Sequence, residues 1–576
     1  MTRIVLMVVS VIVTLFVGES QAGTVEVSPK GSVRTLGAAL ELTRAMTNEN
    51  REIVLHGGDY FGTCATLDTR DNGLVIRNVS GERPVLWGGV PVAGWRKMSD
   101  GPCWRTLVPL SVATNARALL VNGVSRPRAR YPESGTLLYT NVCVLQPRAA
   151  VEGYWDRKPT LEEQTHLRYK REDIPESFDF RSADVSAYHL WLVYERAITA
   201  HDRATGTFVL GEKTGSPLGA YGVRKYVIWN TAEGMTGPGR WRVDRTSGEV
   251  FYWPQPGEDI GSVQIVIPEA MAILRVAGTA KAPVKNVIIE GLALKGTTVP
   301  LVKEGWIGSS YEGAVTFAHT EGLELRGLEI SEVAGNAIAG IRPWNTANFG
   351  TKILNCRISQ TGSGGIYIRA KNGLVEGNRI TDTGRMFCSG VGIACDGEDI
   401  VFRGNFLANL TYSGVSGGGT RFLFENNVVT NYMTVLGDGA GMYLSRAKQC
   451  VMRGNSVDTC GNPEKGWSGY YLDELSEGNI IERNTSRNVE WPVHNHIATN
   501  TIVRNNIFRH TGPMKFTFQR SGGISFIGNT VESGGDIVFP SAEGVTNWQG
   551  NILHPGATHR VIYRTQKGKI LPAPTP

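Results

Sequence analysis

A recurring Asn in the second half of the chain constrains the fold more than any other feature. A small or polar residue, then Asn, then any residue and usually an apolar one, occurs at Gly377-Asn378, Gly404-Asn405, Asn426-Asn427, Gly454-Asn455, Arg483-Asn484, Asn505-Asn506, Gly528-Asn529 and Gly550-Asn551. Successive Asn residues lie 27, 22, 28, 29, 22, 23 and 22 positions apart. Self-similarity at this period is the mark of a solenoid. The expected fold is all-β, a right-handed parallel β-helix whose coils pair their short strands in parallel about 4.8 Å apart. Equivalent side chains then stack in columns. A buried Asn column satisfies its amides by bonding up the stack, while Ile380, Val429 and Ile507 are expected to fill the interior. Coils without the Asn signal precede these, at 284–289, 323–325 and 353–356, so the stack is expected to run from about 265 to 560. With 70 Gly and only 19% charged residues, the composition suits turn-rich β structure better than helical bundles.

The rest of the chain divides around that stack. Residues 1–22 read as a signal peptide: Arg3, an apolar run from Ile4 to Val17, then the small-x-small site Ser20-Gln21-Ala22. That run is short for a membrane span, and an uncleaved anchor is the alternative. The mature chain is expected to be secreted or periplasmic, without a membrane span. Residues 23–92 read as a cap and the first coils. Leu36, Ala39, Leu40, Leu42 and Ala45 share one side of a helix, which covers an end that would otherwise expose core and strand edges. Residues 93–264 break the repeat and are expected to form an inserted antiparallel β domain, with a hairpin around Arg245-Thr246-Ser247-Gly248. Residues 265–560 form the main β-helix, and 561–576 a tail.

The net charge of +6 is modest, and Lys and Arg are scattered among acidic residues, so no nucleic-acid partner is expected. A weakly basic surface is compatible with an acidic glycan. None of the eight Cys forms a CxxC pair, which disfavours a zinc knuckle. Export permits disulfides. Cys388 with Cys395 and Cys450 with Cys460 are near enough in sequence to pair, and buried thiols are the alternative.

Strand alternation places chemistry on one face. Aligning Gly365–Arg369, Gly392–Asp396, Gly441–Ser445, Gly469–Asp473 and Pro492–His496 turns Cys395, Leu444 and Leu472 inward. Two outward columns follow: Tyr367, Ala394, Tyr443, Tyr471, His494, and Arg369, Asp396, Ser445, Asp473, His496. Tyr412, Asp438, Trp467 and Glu474 lie close by in sequence. Aromatic faces pack on sugar C–H surfaces, and glycoside cleavage needs one carboxyl to protonate the leaving oxygen and another to attack or activate water. Bland readings exist for each member: a Gly437–Gly439 turn, a solvated or His496-paired Asp473, surface histidines, a structural tyrosine stack, an Asp396–Asp399 turn. The set is harder to dismiss than any member. Asp438 lies seven residues before the position matching Asp473, roughly 23 Å if extended at 3.3 Å per residue, so its glycines must fold it back.

These segments, with Tyr412–Ser416, Gly437–Tyr443, Gly469–Glu474, His494–His496 and Arg504–Phe508, resemble glycoside hydrolase family 141 and its relatives. Weaker matches are Arg128–Pro132 and Thr246–Pro254. That family includes enzymes acting on fucosides and on xylan. The resemblance implies a secreted glycoside hydrolase with Asp438 and Asp473 as catalytic carboxylates. It implies substrate contacts from Arg369, Asp396, Tyr412, Tyr443, Trp467, Tyr471, Glu474, His494 and His496. Ala440 replaces a glycine of the usual run. The expected partner is a carbohydrate polymer or oligosaccharide, with no cofactor, no metal, and a monomeric chain. A polysaccharide lyase on the same fold would use Arg369, Tyr443 or Tyr471 as base. A non-catalytic glycan-binding protein is the third reading. A polygalacturonase-type enzyme is disfavoured because its Asn-Thr-Asp and Gly-His-Gly segments are absent.

Overall fold

Residues 23–47, 50–301, 305–340, 347–461 and 468–574 are described in the computed structural model of the chain. Residues 1–22, expected to be a signal peptide, and Trp467 lie outside the described residues. Among the described residues, three long parallel sheets of 14, 16 and 13 strands, the second including three short strands off its main path, make the right-handed parallel β-helix. The rungs stay in register: Leu374–Glu376 pairs with Val401–Arg403, which pairs with Leu423–Glu425, then Val451–Arg453. One continuous core threads the stack from Val25 to Tyr563.

The Asn ladder forms from Asn378 to Asn551. Each Asn Nδ2 donates to the Oδ1 of the next, at 2.9 to 3.1 Å, and each backbone N–H donates to the same oxygen. The second Nδ2 proton goes to a backbone carbonyl one coil back, as Asn455 does to Phe424 at 2.9 Å. The residue before each Asn adopts a left-handed backbone, from φ +55° at Arg483 to +67° at Gly377. That conformation costs most L-residues about 1–2 kcal/mol, which explains why Gly or Asn precedes the ladder in all but one coil. Apolar side chains follow two positions later, where Ile380, Val429 and Phe508 are fully buried. Ile507 is not among them. It pairs in register with Thr485 and Thr530 on the outer face, while Phe508 points inward.

At the N-terminal end, the helix Leu36–Arg44 covers the first rung, its N-cap Thr35 accepting from the Ala38 N–H at 3.2 Å. Its buried face is Leu36, Ala39, Leu40 and Thr43; Leu42 is exposed, because only a narrow stripe meets the rung. Between Gly89 and Pro268 the chain forms three antiparallel sheets. The hairpin Trp241–Val243 with Glu249–Tyr252 belongs to one of them. The largest sheet carries Asp184, a fully buried carboxylate that accepts from Arg117, Arg128 and Arg245. Burial opposes its charge, but the three guanidiniums prevail and hold its pKa far below the usual carboxylate range.

Where a tail is expected, Val561–Tyr563 instead pairs in parallel with Ile537–Phe539, and Tyr563 stacks on Phe539 at 5.3 Å. No disulfide joins any of the eight cysteines. Cys388, Cys395 and Cys450 are buried, Cys395 because alternation turns it into the core. Among the described residues no helix is long and apolar enough to cross a membrane.

The ladder yields a graded prediction. Asn455→Ala strands the backbone N–H and amide of Asn427 inside the stack and is expected to cost about 2–3 kcal/mol. Asn551→Ala removes the same acceptor from Asn529, but at the half-buried end of the stack, where water can take its place, and should cost under about 1 kcal/mol. Chemical denaturation of the two variants measures the difference.

Candidate active site

Parallel register builds the site. Tyr443, Tyr471 and His494 occupy successive rungs of one column, continuing to Thr517. Ser416 and Ala394 precede them, and Tyr367 precedes Ala394. Ser445 and Asp473 lie opposite one another in the next column, with Arg369 opposite Asp396 further down. The Tyr471 and His494 rings stack at 3.9 Å, and Tyr443 meets Tyr471 edge-on at 4.9 Å.

Asp473 is the hub. Its Oδ2 accepts from the Tyr443 hydroxyl at 2.5 Å and its Oδ1 from His496 Nδ1 at 2.9 Å. Burial opposes its charge, yet these bonds and the Glu474 backbone N–H lower its pKa below the ordinary carboxylate value. Burial also opposes the charge of His496, but the bond to Asp473 and the nearby Glu474 outweigh it and raise its pKa. His494 differs: burial pushes its pKa down to about 3, so it is neutral at physiological pH. Its Nδ1 pairs with Ser468 Oγ at 3.1 Å.

Asp438 is folded back to this hub by its own loop. It sits between two glycines with φ +53°. The Gly437 N–H donates to the Leu190 carbonyl at 2.7 Å, and the Tyr412 hydroxyl donates to the Asp438 carbonyl at 2.8 Å. Gly439 is required there: a Cβ would come within 2.5 Å of Ser413 Oγ and 2.9 Å of Tyr412 Cε2. The Asp438 side chain is open to water but closely walled by protein, as at the floor of a cleft. Partial dehydration, then the charge of Asp473, lift its pKa to about 6, with His496 opposing. Two neighbouring carboxylic groups are thus displaced in opposite directions, which is how acid and base roles are divided between like groups.

Other expected contacts fall elsewhere. Tyr412 is fully buried and acts on the Asp438 loop, out of reach of a ligand. Glu474 is buried, and its two oxygens accept the Ala150 and Val151 N–H groups at 2.7 and 3.0 Å, which fasten the inserted sheets to the β-helix. Tyr443, Tyr471 and His494 are largely buried and form the floor beneath Asp473. Asp396 and Arg369 lie three and four rungs from Asp473, about 14 and 19 Å at the rung spacing. They face each other at 3.4 Å, apart from the carboxylate cluster. Ligand atoms of Asp473, Glu474 and His496 lie within 4.8 Å of one another, which is close enough for a shared cation. Glu474 already spends both oxygens on backbone N–H groups, however, so that set does not fit a metal well.

The inserted domain and an early coil supply walls that the sequence reading lacks. Trp306 packs edge-on against Tyr443 at 5.6 Å, next to Ile307 in a left-handed backbone (φ +56°). Tyr221, also left-handed at φ +55°, has its pKa raised to about 12 by burial and by Asp438. Trp191 lies against Tyr221 at 4.7 Å, and Trp155 at 5.5 Å. The apolar run Leu190-Trp191-Leu192 is a hairpin apex joining Asp184–Tyr188 to Val193–Asp202, and it is apolar because it docks on the β-helix at Gly437. That apolar apex was the one signal in the sequence for this wall.

Residues 339–531 match the family described as right handed beta helix region. A solved structure described as a glycoside hydrolase shares the fold, with a TM-score of 0.68 at 18% identity over 87% of this chain and 97% of that one. The structure of XylC with xylose aligns at a TM-score of 0.47 and 11% identity, over 91% of this chain and 76% of that one. The structure of PfbA, a surface adhesin of Streptococcus pneumoniae, aligns at a TM-score of 0.34 and 11% identity, over 51% of this chain and 75% of that one. No curated protein matches the sequence.

Glu474→Ala removes the acceptor for Ala150 and Val151, hydrogen bonds to a charged group worth about 1.5–3 kcal/mol each. Limited proteolysis of that variant is expected to cleave within residues 149–154 at least about tenfold faster than in the parent, by the opening free energy lost.

Proposed function

We propose that this protein is a glycoside hydrolase that cleaves a polysaccharide or oligosaccharide, with Asp438 as general acid and Asp473 as nucleophile or base. The observation that carries this reading is Asp438 folded back beside Asp473, the two carboxyl groups displaced in opposite directions, with Tyr221 and the Trp306–Tyr443 ring pair around them. Asp438 near 6 holds its proton in mildly acidic solution and delivers it to the leaving oxygen. Asp473 stays ionised, with Tyr443 and His496 fixing both oxygens so that its charge faces the cleft in one orientation. Trp306, Tyr221 and Trp191 offer ring faces and edges to sugar C–H surfaces. The fold shared with a known glycoside hydrolase is consistent with this assignment, as is the family 141 resemblance of the motifs. Secretion, and action as a monomer without cofactor or metal, belong to the same proposal.

The lyase reading is weaker on this geometry. Its base would be a phenolate or a free arginine. Tyr443 and Tyr471 have pKa values pushed well above the ordinary phenol by burial and by Asp473, the reverse of what a phenolate base requires. Arg369 faces Asp396 several rungs away.

Turnover on a panel of plant and microbial glycans tests the proposal. Asp438→Asn and Asp473→Asn are each expected to lower kcat by about 10²–10⁴-fold without unfolding the chain. An Asp438→Asn loss confined to substrates with poor leaving groups identifies it as the acid. The pH profile follows from the signs. Because Asp438 must be protonated, kcat/KM falls as pH rises through about 6. Because Asp473 must be ionised and its pKa is depressed, the acid limb lies below the ordinary carboxylate value. His496→Gln should move that acid limb upward. Full activity in either Asp variant, or an ultraviolet-absorbing unsaturated product, defeats the assignment.

A further inference from the structure

A second cavity, of about 410 Å3, lies between the inserted domain and the β-helix. Its lining shares no residue with the Asp438 site. It opens beside Val333–Ala334, Gly362 and Met386–Phe387, which lie four, three and two rungs before the Asp438 coil, about 19 to 10 Å at the rung spacing. Six arginines line it: Arg117, Arg126, Arg128, Arg130, Arg240 and Arg385. Only two carboxylates, Glu195 and Glu332, do so. Burial lifts the Glu195 pKa to about 7, so at neutral pH it is only partly charged.

The arginines are not all spoken for. Arg126 pairs with Glu258, and Arg128 with Asp184. Arg385 reaches Glu332 at 3.5 Å. Arg130 donates only to backbone carbonyls, to Gly135 at 2.6 Å and Glu133 at 3.4 Å, and its Nε is buried without a partner. Arg240 donates to the Arg128 carbonyl at 3.2 Å. Neither Arg130 nor Arg240 meets a carboxylate within ion-pair distance among the described residues. Arg117 is fully buried, and although Nη1 bonds Asp184, its Nε and Nη2 have no partner. Buried guanidinium donors without acceptors are costly. Arg130 and Arg240 therefore bring positive charge to the cavity wall with no carboxylate to offset it, which an anion entering the cavity would do.

We propose that this cavity binds an acidic sugar, its carboxylate held between Arg130 and Arg240. Guanidinium forks match planar carboxylates in a bidentate way. The apolar part of the lining, Val333, Ala334, Met386 and Phe387, suits the C–H face of a sugar ring. The volume admits a small ligand, which separates this site from a nucleic-acid or protein surface. The site stands whether or not the Asp438 and Asp473 chemistry is as assigned.

Calorimetric titration of the full chain at low salt tests the proposal, with galacturonate and glucuronate as probes. Galactose serves as neutral control, and galactose 6-sulfate and inorganic phosphate as other anions. The Asp473→Asn protein should bind a uronate as the parent does, which locates binding away from the carboxylate pair. Arg130→Gln and Arg240→Gln should each weaken it about ten- to hundredfold, as expected for a charge-assisted bond. If either fails to fold, Arg385→Gln, at the half-exposed rim, should still weaken uronate binding measurably. The proposal is overturned if no uronate binds, if galactose binds equally, if sulfate or phosphate binds more tightly, or if the arginine changes leave affinity intact.

Discussion

Every coil of this molecule is pinned to the next by an asparagine whose amide and backbone N–H close on the same neighbouring oxygen. A polar column inside a solenoid is tolerable only because each member is fully satisfied. Its consequence is geometric. With the turn held identically from Asn378 to Asn551, strands enter each sheet in the same phase, and side chains of equal rank stack one above another. The Tyr443, Tyr471, His494 column and the Asp473 position both inherit their alignment from that regularity.

The carboxylate cluster needs more than stacking. Asp473 is a rung residue, held by Tyr443 from the rung before and His496 from the rung after. Asp438 is a loop residue, held by Tyr412 beneath and by Leu190 of the inserted domain. One group is charged because donors surround it, and the other keeps its proton because its loop and the inserted wall limit its hydration while Asp473 opposes its ionisation. The division of labour therefore rests on the joint between the β-helix and the inserted sheets, where Glu474 binds two backbone N–H groups and Arg520 pairs with Glu152 at 2.7 Å.

Much of this was legible in residue order. The Asn spacing announced the solenoid, and period-two alternation sorted Leu444 and Leu472 inward from Tyr443 and Asp473 outward. Ile507 was the exception: it lies one position after its Asn and faces out, and the inward residue is Phe508, two after, as Ile380 and Val429 are in their coils. The helix stripe failed at Leu42, since one rung is narrower than the stripe assumed. Tyr412 and Glu474 adjoin the sugar-site motifs in sequence, and adjacency alone makes them look like sugar contacts. Their bonds to the Asp438 loop and to residues 150 and 151 are invisible to adjacency.

Local periodicity alone thus determined the coil, the ladder and the face on which the acidic, phenolic and imidazole groups lie, because each depends on contacts between equivalent positions of a repeat. Tertiary structure decided how those groups are charged and what walls them. The Asp438 environment, the Tyr221 and Trp191 wall and the arginine cavity arise where segments some hundreds of residues apart meet. Desolvation and Coulomb coupling act through space, so no pattern along the chain encodes them.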